Sequence, residues 1–407
     1  MSIPKLRFKE FDGNWENTSF QSLFSFKNGI NASKEQYGSG TKFINVLDII
    51  NNSNGITFDS IIGSVQISGK EIEKNIVKYG DVLFQRSSET REEVGQSNVY
   101  LSHEPVVFGG FVIRGTAQKE YDPIFMNSVL KTEKLRDQIT QLSGGSTRFN
   151  IGQDSLNKIF VDLPNLEEQT KIASFLSQVD EKINQLTQKH SLLSQYKQGM
   201  MQKLFSQQIR FKADDGSKFG EWEKKELKAI SQIYDGTHQT PNYVEEGVPF
   251  YSVEHVTANN FTKTKFIAED VYLAELKRVK LEKGDILLTR IGDIGTSRLI
   301  DWEVRASFYV SLALIKVKEM HSSSFVNQYI KSPFFQRELH ERTIHVAFPK
   351  KINLGEIGLC VIKVPCLEEQ TKIANFLSAI DQKIAVVAQQ IEQAKQWKKG
   401  LLQQMFV

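Results

Sequence analysis

LEEQTKIASFLSQVDEKI, at 166–183, returns as LEEQTKIANFLSAIDQKI at 367–384, 201 residues further on. Extended to 164–205 and 365–406, the two stretches align without a gap and share 21 of 42 residues. Apolar positions inside each copy step by alternating fours and threes. They run Ile172, Leu176, Val179, Ile183, Leu186, then Leu193, Met200 and Leu204 in the first, and Ile373, Leu377, Ile380, Ile384, Val387, Ile391, Ala394, Leu401 and Met405 in the second. A heptad seam of that length needs a narrow apolar partner, and a copy of the same length and phase supplies one. The spacing therefore predicts two long helices paired as a coiled coil, with His190, Lys197 and Lys398 interrupting the seam to fix its register. Pro164 and Pro365 stand just before the helices, and Glu167→Lys171 and Glu368→Lys372 have the stabilising i, i+4 orientation.

Fainter echoes lie upstream of each helix. RFK at 7–9, then DG and Trp15-Glu16, answers RFK at 210–212, then DG and Trp222-Glu223; YGDVLFQR at 79–86 answers KGDILLTR at 283–290. The chain reads as module, helix, module, helix, with bounds 1–163, 164–207, 208–364 and 365–407. Runs such as FINVLDII (43–50), DVLFQR (81–86), PVVFGGFVIRG (105–115), DILLTRI (285–291) and SFYVSLALIKV (307–317) read as strands. MNSVLKTEKLRDQITQL (126–142) and SFVNQYIKSPFFQRELHERT (324–343) read as helices, the latter broken before Pro333, and NNSNG, GSG and SGGS read as loops. The expected fold class is α+β: two globular domains separated by two long antiparallel helices, a coiled-coil spacer, in a pseudo-twofold internal repeat.

A chain of 407 residues exceeds one ordinary core, and 40% hydrophobic with 24% charged residues is a globular composition. MSIPKLRFKEF holds no apolar run suited to a signal peptide, and no stretch of 18 apolar residues follows. With only Cys360 and Cys366, a reduced cytoplasmic setting is expected, the two thiols packing as small apolar groups. The net charge of +3 permits a nucleic-acid partner without demanding one.

Catalytic motifs fail on spacing. GSVQISGKE (63–71) places five residues between its glycines where a P-loop needs four, and Glu71 stands where Ser or Thr would hold magnesium. HERTIH (340–345) sets its histidines five apart, off a common helical face. Asp81 and Asp285 lack lysine and glutamate at nuclease spacing, and no adjacent prolines form an amino-methyltransferase loop. The reading is of a chain with no catalytic residues and no metal site. Its alternative is a self-sufficient nuclease or methyltransferase.

What recurs in both halves is loops rich in side chains suited to base edges and phosphates. These are Arg86, Arg91, Gln96, Asn98, Thr147 and Arg148 in the first module, and Thr237, His238, Arg290, Thr296, Arg298, Lys350 and Lys351 in the second. Arginine grips guanine with two hydrogen bonds and Asn or Gln does so for adenine, each pair worth about 1–3 kcal/mol of discrimination.

LRFKEFDGNWE at the start, DGTHQTPNYVEEGVPFYSV (235–253), GGSTRFNI (144–151) and the doubled P-x-LEEQTKIA…FLS…D-x-KI resemble the specificity subunit (HsdS) of type I restriction-modification systems, over essentially the whole chain. The resemblance implies two target-recognition domains, each reading one half of a split, asymmetric sequence in double-stranded DNA. It implies partners: two modification subunits that methylate adenine with S-adenosylmethionine, and two restriction subunits that use ATP and magnesium. No cofactor is then bound by this chain. Thr147 and Arg148 fall in the family's GGSTR loop, and Gly236, Thr237 and His238 in its DGTH stretch; the second module departs with HVAFPKKI (345–352). A helix rod of roughly 50 Å bounds the half-site separation at about 15 base pairs. Glu167, Glu168, Gln169, Lys171, Asp180 and Lys182, with copies Glu368, Glu369, Gln370, Lys372, Asp381 and Lys383, read as an outward row that serves either helix-terminus electrostatics and i, i+4 pairing or the symmetric docking of two modification subunits.

Overall fold

The structure is a computed structural model that describes residues 3–52 and 54–406, so Ser53 of the NNSNG loop lies outside the described residues. Two compact units make up the chain, Met1–Gln188 with Ala388–Val407, and Lys189–Val387. Both division points fall inside long helices, Leu166–Phe205 of 40 residues and Leu367–Met405 of 39. At 1.5 Å per residue each helix is about 60 Å long, somewhat more than expected.

In the first unit a four-stranded antiparallel sheet has the order Phe24–Asn28, Val112–Ala117, Val82–Gln85, Ser97–Val99. Beside it lies a smaller sheet of Ser64–Val65, Tyr37–Ile44 and Val107–Phe108, the last two parallel. The second unit repeats the scheme. Ser231–Asp235, Leu312–Val317, Ile286–Ile291 and Asp293–Leu299 take the same order, and Val248–Tyr251 pairs in parallel with Ser307–Phe308.

The beginning of one long helix meets the end of the other inside each unit. Ile172, Leu176 and Val179 share a core with Leu401 and Met405 in the first unit, together with Phe20, Phe84 and Phe125 of its globular part. In the second, Ile373 and Leu377 share one with Met201 and Leu204, together with Leu288, Phe325 and Phe335. The helices therefore pair antiparallel. The seam lysines find carboxylates across the pair: Lys398 lies 2.5 Å from Asp180 in the first unit, and Lys197 lies 2.6 Å from Asp381 in the second. No seam position is exposed, and the seam packs on the globular parts as well as on the partner helix.

Local readings differ from the structure in informative places. FINVLDII ends as a strand at Ile44 and turns into a helix, Val46–Asn51, because Asn45 and Asp48 form a capping box. PVVFGGFVIRG divides into two strands, Val107–Phe108 and Val112–Ala117. MNSVLKTEKLRDQITQL covers the end of one helix, Pro123–Val129, and the whole of a second, Glu133–Gln141. The expected break before Pro333 is present, with Ser332 capping Pro333–Arg342. Glu71, the misfit of the P-loop lookalike, caps a short helix by accepting from Ser68. Cys360 is buried, its thiol pushed up to about 12 by burial, whereas Cys366 is exposed rather than packed.

The row read as facing outward is corrected by burial. Glu168 and Glu369 are fully buried, and Gln169 and Gln370 nearly so. Arg7 grips Glu168 through two hydrogen bonds of 2.7 Å, and Trp15 donates to the same carboxylate. Arg210 grips Glu369 at 3.0 and 2.8 Å, and Trp222 donates to it at 3.0 Å. Gln169 accepts from the Asp122 amide and donates to the Pro164 carbonyl; Gln370 does so with Ser322 and Pro365. The echoes RFK…DG…WE and LEEQ are thus two halves of one clamp, made once in each unit. Glu167 and Glu368 remain exposed, while Lys171 pairs with Glu10 and Lys372 with Asp214. Among the described residues no helix is long and apolar enough to cross a membrane.

Candidate nucleic-acid interface

A frame of backbone hydrogen bonds at one end of each four-stranded sheet holds three loops together. In the first unit Ile30 N donates to Phe108 O (2.9 Å), Gly110 N to Ile30 O (2.8 Å), Arg86 N to Phe111 O (2.8 Å) and Ile151 N to Arg86 O (3.0 Å). In the second, Thr237 N donates to Phe308 O (3.0 Å), Val310 N to Thr237 O (3.0 Å), Arg290 N to Ser311 O (2.9 Å) and Ile352 N to Arg290 O (3.0 Å). The frames correspond bond for bond. Gly29 and Gly236 open them, because a Cβ at either would sit 2.2 Å from the carbonyl oxygen of Gly109 or Phe308.

The side chains carried on these matched frames differ. The first offers Asn31, Arg86, exposed Phe111, and the polar tip of 144–150 with exposed Thr147 and Arg148. The second offers exposed His238, whose Nε2 lies 2.6 Å from Asp235, then Arg290, Ser311, and the longer loop 344–351 with exposed Lys350 and Lys351. Arg86 and Arg290 aim Nη1 at the carbonyls of Gly110 (3.5 Å) and Val310 (2.8 Å), so both are oriented by the loop they border. Beside the first frame lies a hollow of about 530 Å³ lined by Asn31, Phe43, Leu47, Ile62 and Phe111.

Seven candidates therefore present their side chains on these frames: Arg86, Thr147, Arg148, His238, Arg290, Lys350 and Lys351. Others are placed elsewhere. Asn98 is buried and donates to Ile49 O at 2.9 Å, so its amide ties two segments together instead of facing outward. Thr237 joins its frame through the backbone, and its side chain is buried with the hydroxyl unpartnered. Arg91 is exposed and donates to Thr140 O, and Gln96 is half-buried. Thr296 lies in a strand, its amide held by Thr289 Oγ1. Arg298 donates to Val256 O and lines a separate cleft of about 630 Å³ with Trp302, Gln328, Lys331 and Asp381. Sequence reading missed the stretch Asn28–Asn31. Its trace was NGIN following a strand, as DGTH does, but Gly29 alone is shared.

The two carboxylates weighed for nuclease chemistry are structural. Asp81 is buried, accepts from the Lys78 amide at 2.9 Å and faces Arg114 at 3.8 Å. Asp285 accepts from the Glu282 amide and pairs with Lys316 at 2.7 Å. Burial raises both carboxyls, against the pull of those amides and cations. Each closes a turn before a central strand.

The profile of the type I restriction modification DNA specificity domain matches residues 12–193 and 220–396. Among curated relatives, the MjaVIII type I specificity subunit of Methanocaldococcus jannaschii is 27% identical over 359 residues, 83% of this chain and 80% of that one. The EcoKI specificity subunit of Escherichia coli is 22% identical, over 79% of this chain and 74% of its own. In fold, the chain is similar to the type I restriction-modification S subunit from M. genitalium, with a TM-score of 0.61, 20% identity and 99% of each chain covered. It is also similar to a chain of a type I R-M system solved for its assembly and conformational transition, with a TM-score of 0.60, 16% identity and 98% of each chain covered. A profile that recurs twice and takes in both loop frames, with relatives alike along most of their length, decides the assignment: the chain belongs to the type I restriction-modification DNA specificity family.

Proposed function

We propose that this chain is the non-catalytic DNA-recognition subunit of a type I restriction-modification complex, each unit reading one half of a bipartite target. The observation that carries the reading is the pair of loop frames, equal in backbone and unequal in side chains. Equal frames present loops to duplex DNA in one manner, while unequal side chains select different bases. Modification and restriction subunits join the complex, supplying S-adenosylmethionine, ATP and magnesium chemistry that this chain's own residues do not perform. Double-stranded DNA is the ligand of the frames. The paired helices set the spacing between half-sites.

Exchange of one reader tests this. Residues 1–163, replaced by the corresponding segment of another family member and expressed with the modification subunit, are expected to change one half of the adenine-methylated motif and preserve the other. Genome-wide mapping of methylated adenines reads the outcome. A chimaera that folds yet alters both halves, or neither, rejects independent readers.

A further inference from the structure

We infer that the loop Ile344–Lys351 of the second unit is an apolar wedge, which enters the DNA target and unstacks a base step. The inference rests on the reading of that unit as a DNA reader and goes further by naming the side chain and the mode of contact. The loop is pinned at its stem: Ile344 N donates to Lys351 O (2.8 Å), Gly292 N to Lys350 O (2.8 Å), and Ile352 N to Arg290 O (3.0 Å). Its tip is bare. Val346 is 96% and Phe348 105% exposed, so this unit offers neither any apolar cover. Single exposed apolar residues are ordinary; two at the tip of a loop fixed by its stem are a contact surface awaiting its partner.

The frame itself does not require an apolar tip. The first unit anchors its loop the same way, with Gly144 N donating to Asn150 O (2.9 Å) and Ile151 N to Arg86 O (3.0 Å), and fills the tip with Ser146, Thr147 and Arg148. The apolar tip is therefore a property of what the second loop meets. Exposed Lys350 and Lys351 at the stem, beside His345, select a polyanion over a protein groove. Cations at the base and an aromatic ring at the tip suit a duplex, where lysines meet phosphates and the ring enters between bases. Apolar wedges of this kind kink DNA at the step they open.

The test uses the assembled specificity–modification complex and duplexes of its mapped target, with 2-aminopurine placed at successive positions in both half-sites other than the methylated adenines, which a methyltransferase itself extrudes. Fluorescence is expected to rise at one step in the half-site read by the second unit, and to fall back to that of free duplex with Phe348→Ala. Phe348→Leu, which keeps a wedge, should retain part of the rise. Specific affinity should drop about tenfold to a hundredfold with Phe348→Ala, while the first half-site stays unaffected. Absence of any rise, or a rise that survives Phe348→Ala, overturns the wedge. Lys350→Ala with Lys351→Ala separates this failure from failure of the parent reading, since loss of two phosphate contacts lowers the salt slope of binding by about two. A lowered slope with an inert Phe348 sinks the wedge and leaves the parent reading standing. An unchanged slope removes the loop from DNA and also sinks the wedge, while the parent reading falls only if binding ceases to depend on the sequence of the second half-site. Loss of co-purifying modification subunit with Phe348→Ala identifies a protein partner and also overturns the proposal.

Discussion

Arg210→Ala lowers the stability of the chain by about 3–5 kcal/mol, the usual result of stripping one partner from a buried ion pair. Glu369 is fully enclosed, whereas the Arg210 side chain is 23% exposed, so the carboxylate is the group left stranded. Trp222 still donates one hydrogen bond to it, but a neutral donor does not replace a charge. For a unit of roughly 200 residues the loss corresponds to a fall in melting temperature of about 6–20 °C. Glu369→Gln in the same chain should restore at least half of that loss, because a neutral amide has no uncompensated charge. Lys182→Ala, on the exposed face of the same helix type, should stay within about 0.5 kcal/mol. Calorimetry of the single and double variants gives the coupling directly. Strict additivity of Arg210→Ala and Glu369→Gln would dismiss the clamp as an energetic unit. Arg7 and Glu168 should behave alike, since the geometry of the first clamp matches.

The clamp also shows where sequence reading stops. Both ends of each clamp were visible as repeated words, but Arg7 and Glu168 are 161 residues apart, and a word says nothing of the face it turns. The row Glu168-Gln169 read as outward because charged and amide side chains usually are. Here the arginine and the Asp122 amide repay their burial. The helices themselves were legible because a heptad seam leaves a period in the sequence, and Lys197 and Lys398 were legible as its interruptions. FINVLDII misled because β-branched residues favour strands, while a local capping box at Asn45 overrode them. The loop frames were half legible. Arg86, Arg290 and the 144–150 loop carry recognisable residue types. The backbone bonds that gather them carry none, so Asn31 and Phe348 escaped notice. Across the departure between GGSTRFNI and HVAFPKKI the backbone still matches, because Ile151 and Ile352 make the same bond to Arg86 and Arg290.

Lys331→Met should raise stability at neutral pH, a result opposite in sign to the loss of Arg210. The Lys331 ammonium is pushed down to about 8, first by burial and then by Lys197, with Asp381 pulling the other way and Arg298 adding to the push. In the unfolded chain the same group keeps its proton until about pH 10.4. Below pH 8 the folded chain therefore carries the full cost of a buried cation. Between about 8 and 10.4 the unfolded chain binds more protons than the folded one, so stability rises with pH through that window. Methionine removes the charge and retains the length, so the variant should gain about 1–3 kcal/mol at pH 7. The gain should shrink steadily above pH 8, and urea titrations at pH 7 and pH 9.5 measure it. The first unit supplies the contrast. Lys131, at the corresponding place, is pushed down to about 7, yet it donates to the side-chain oxygens of Asn98 (3.1 Å) and Asn127 (3.2 Å). Lys131→Met would strip those buried oxygens of a donor, and the gain from removing charge should be cancelled or reversed. Where the first unit has Asn98, the second has Arg298, turned to Val256 O, and no amide reaches Lys331 from that position. An equal response of the two lysines to methionine, or a Lys331→Met gain that does not change between pH 7 and 9.5, would show that burial of charge is not what sets their contribution.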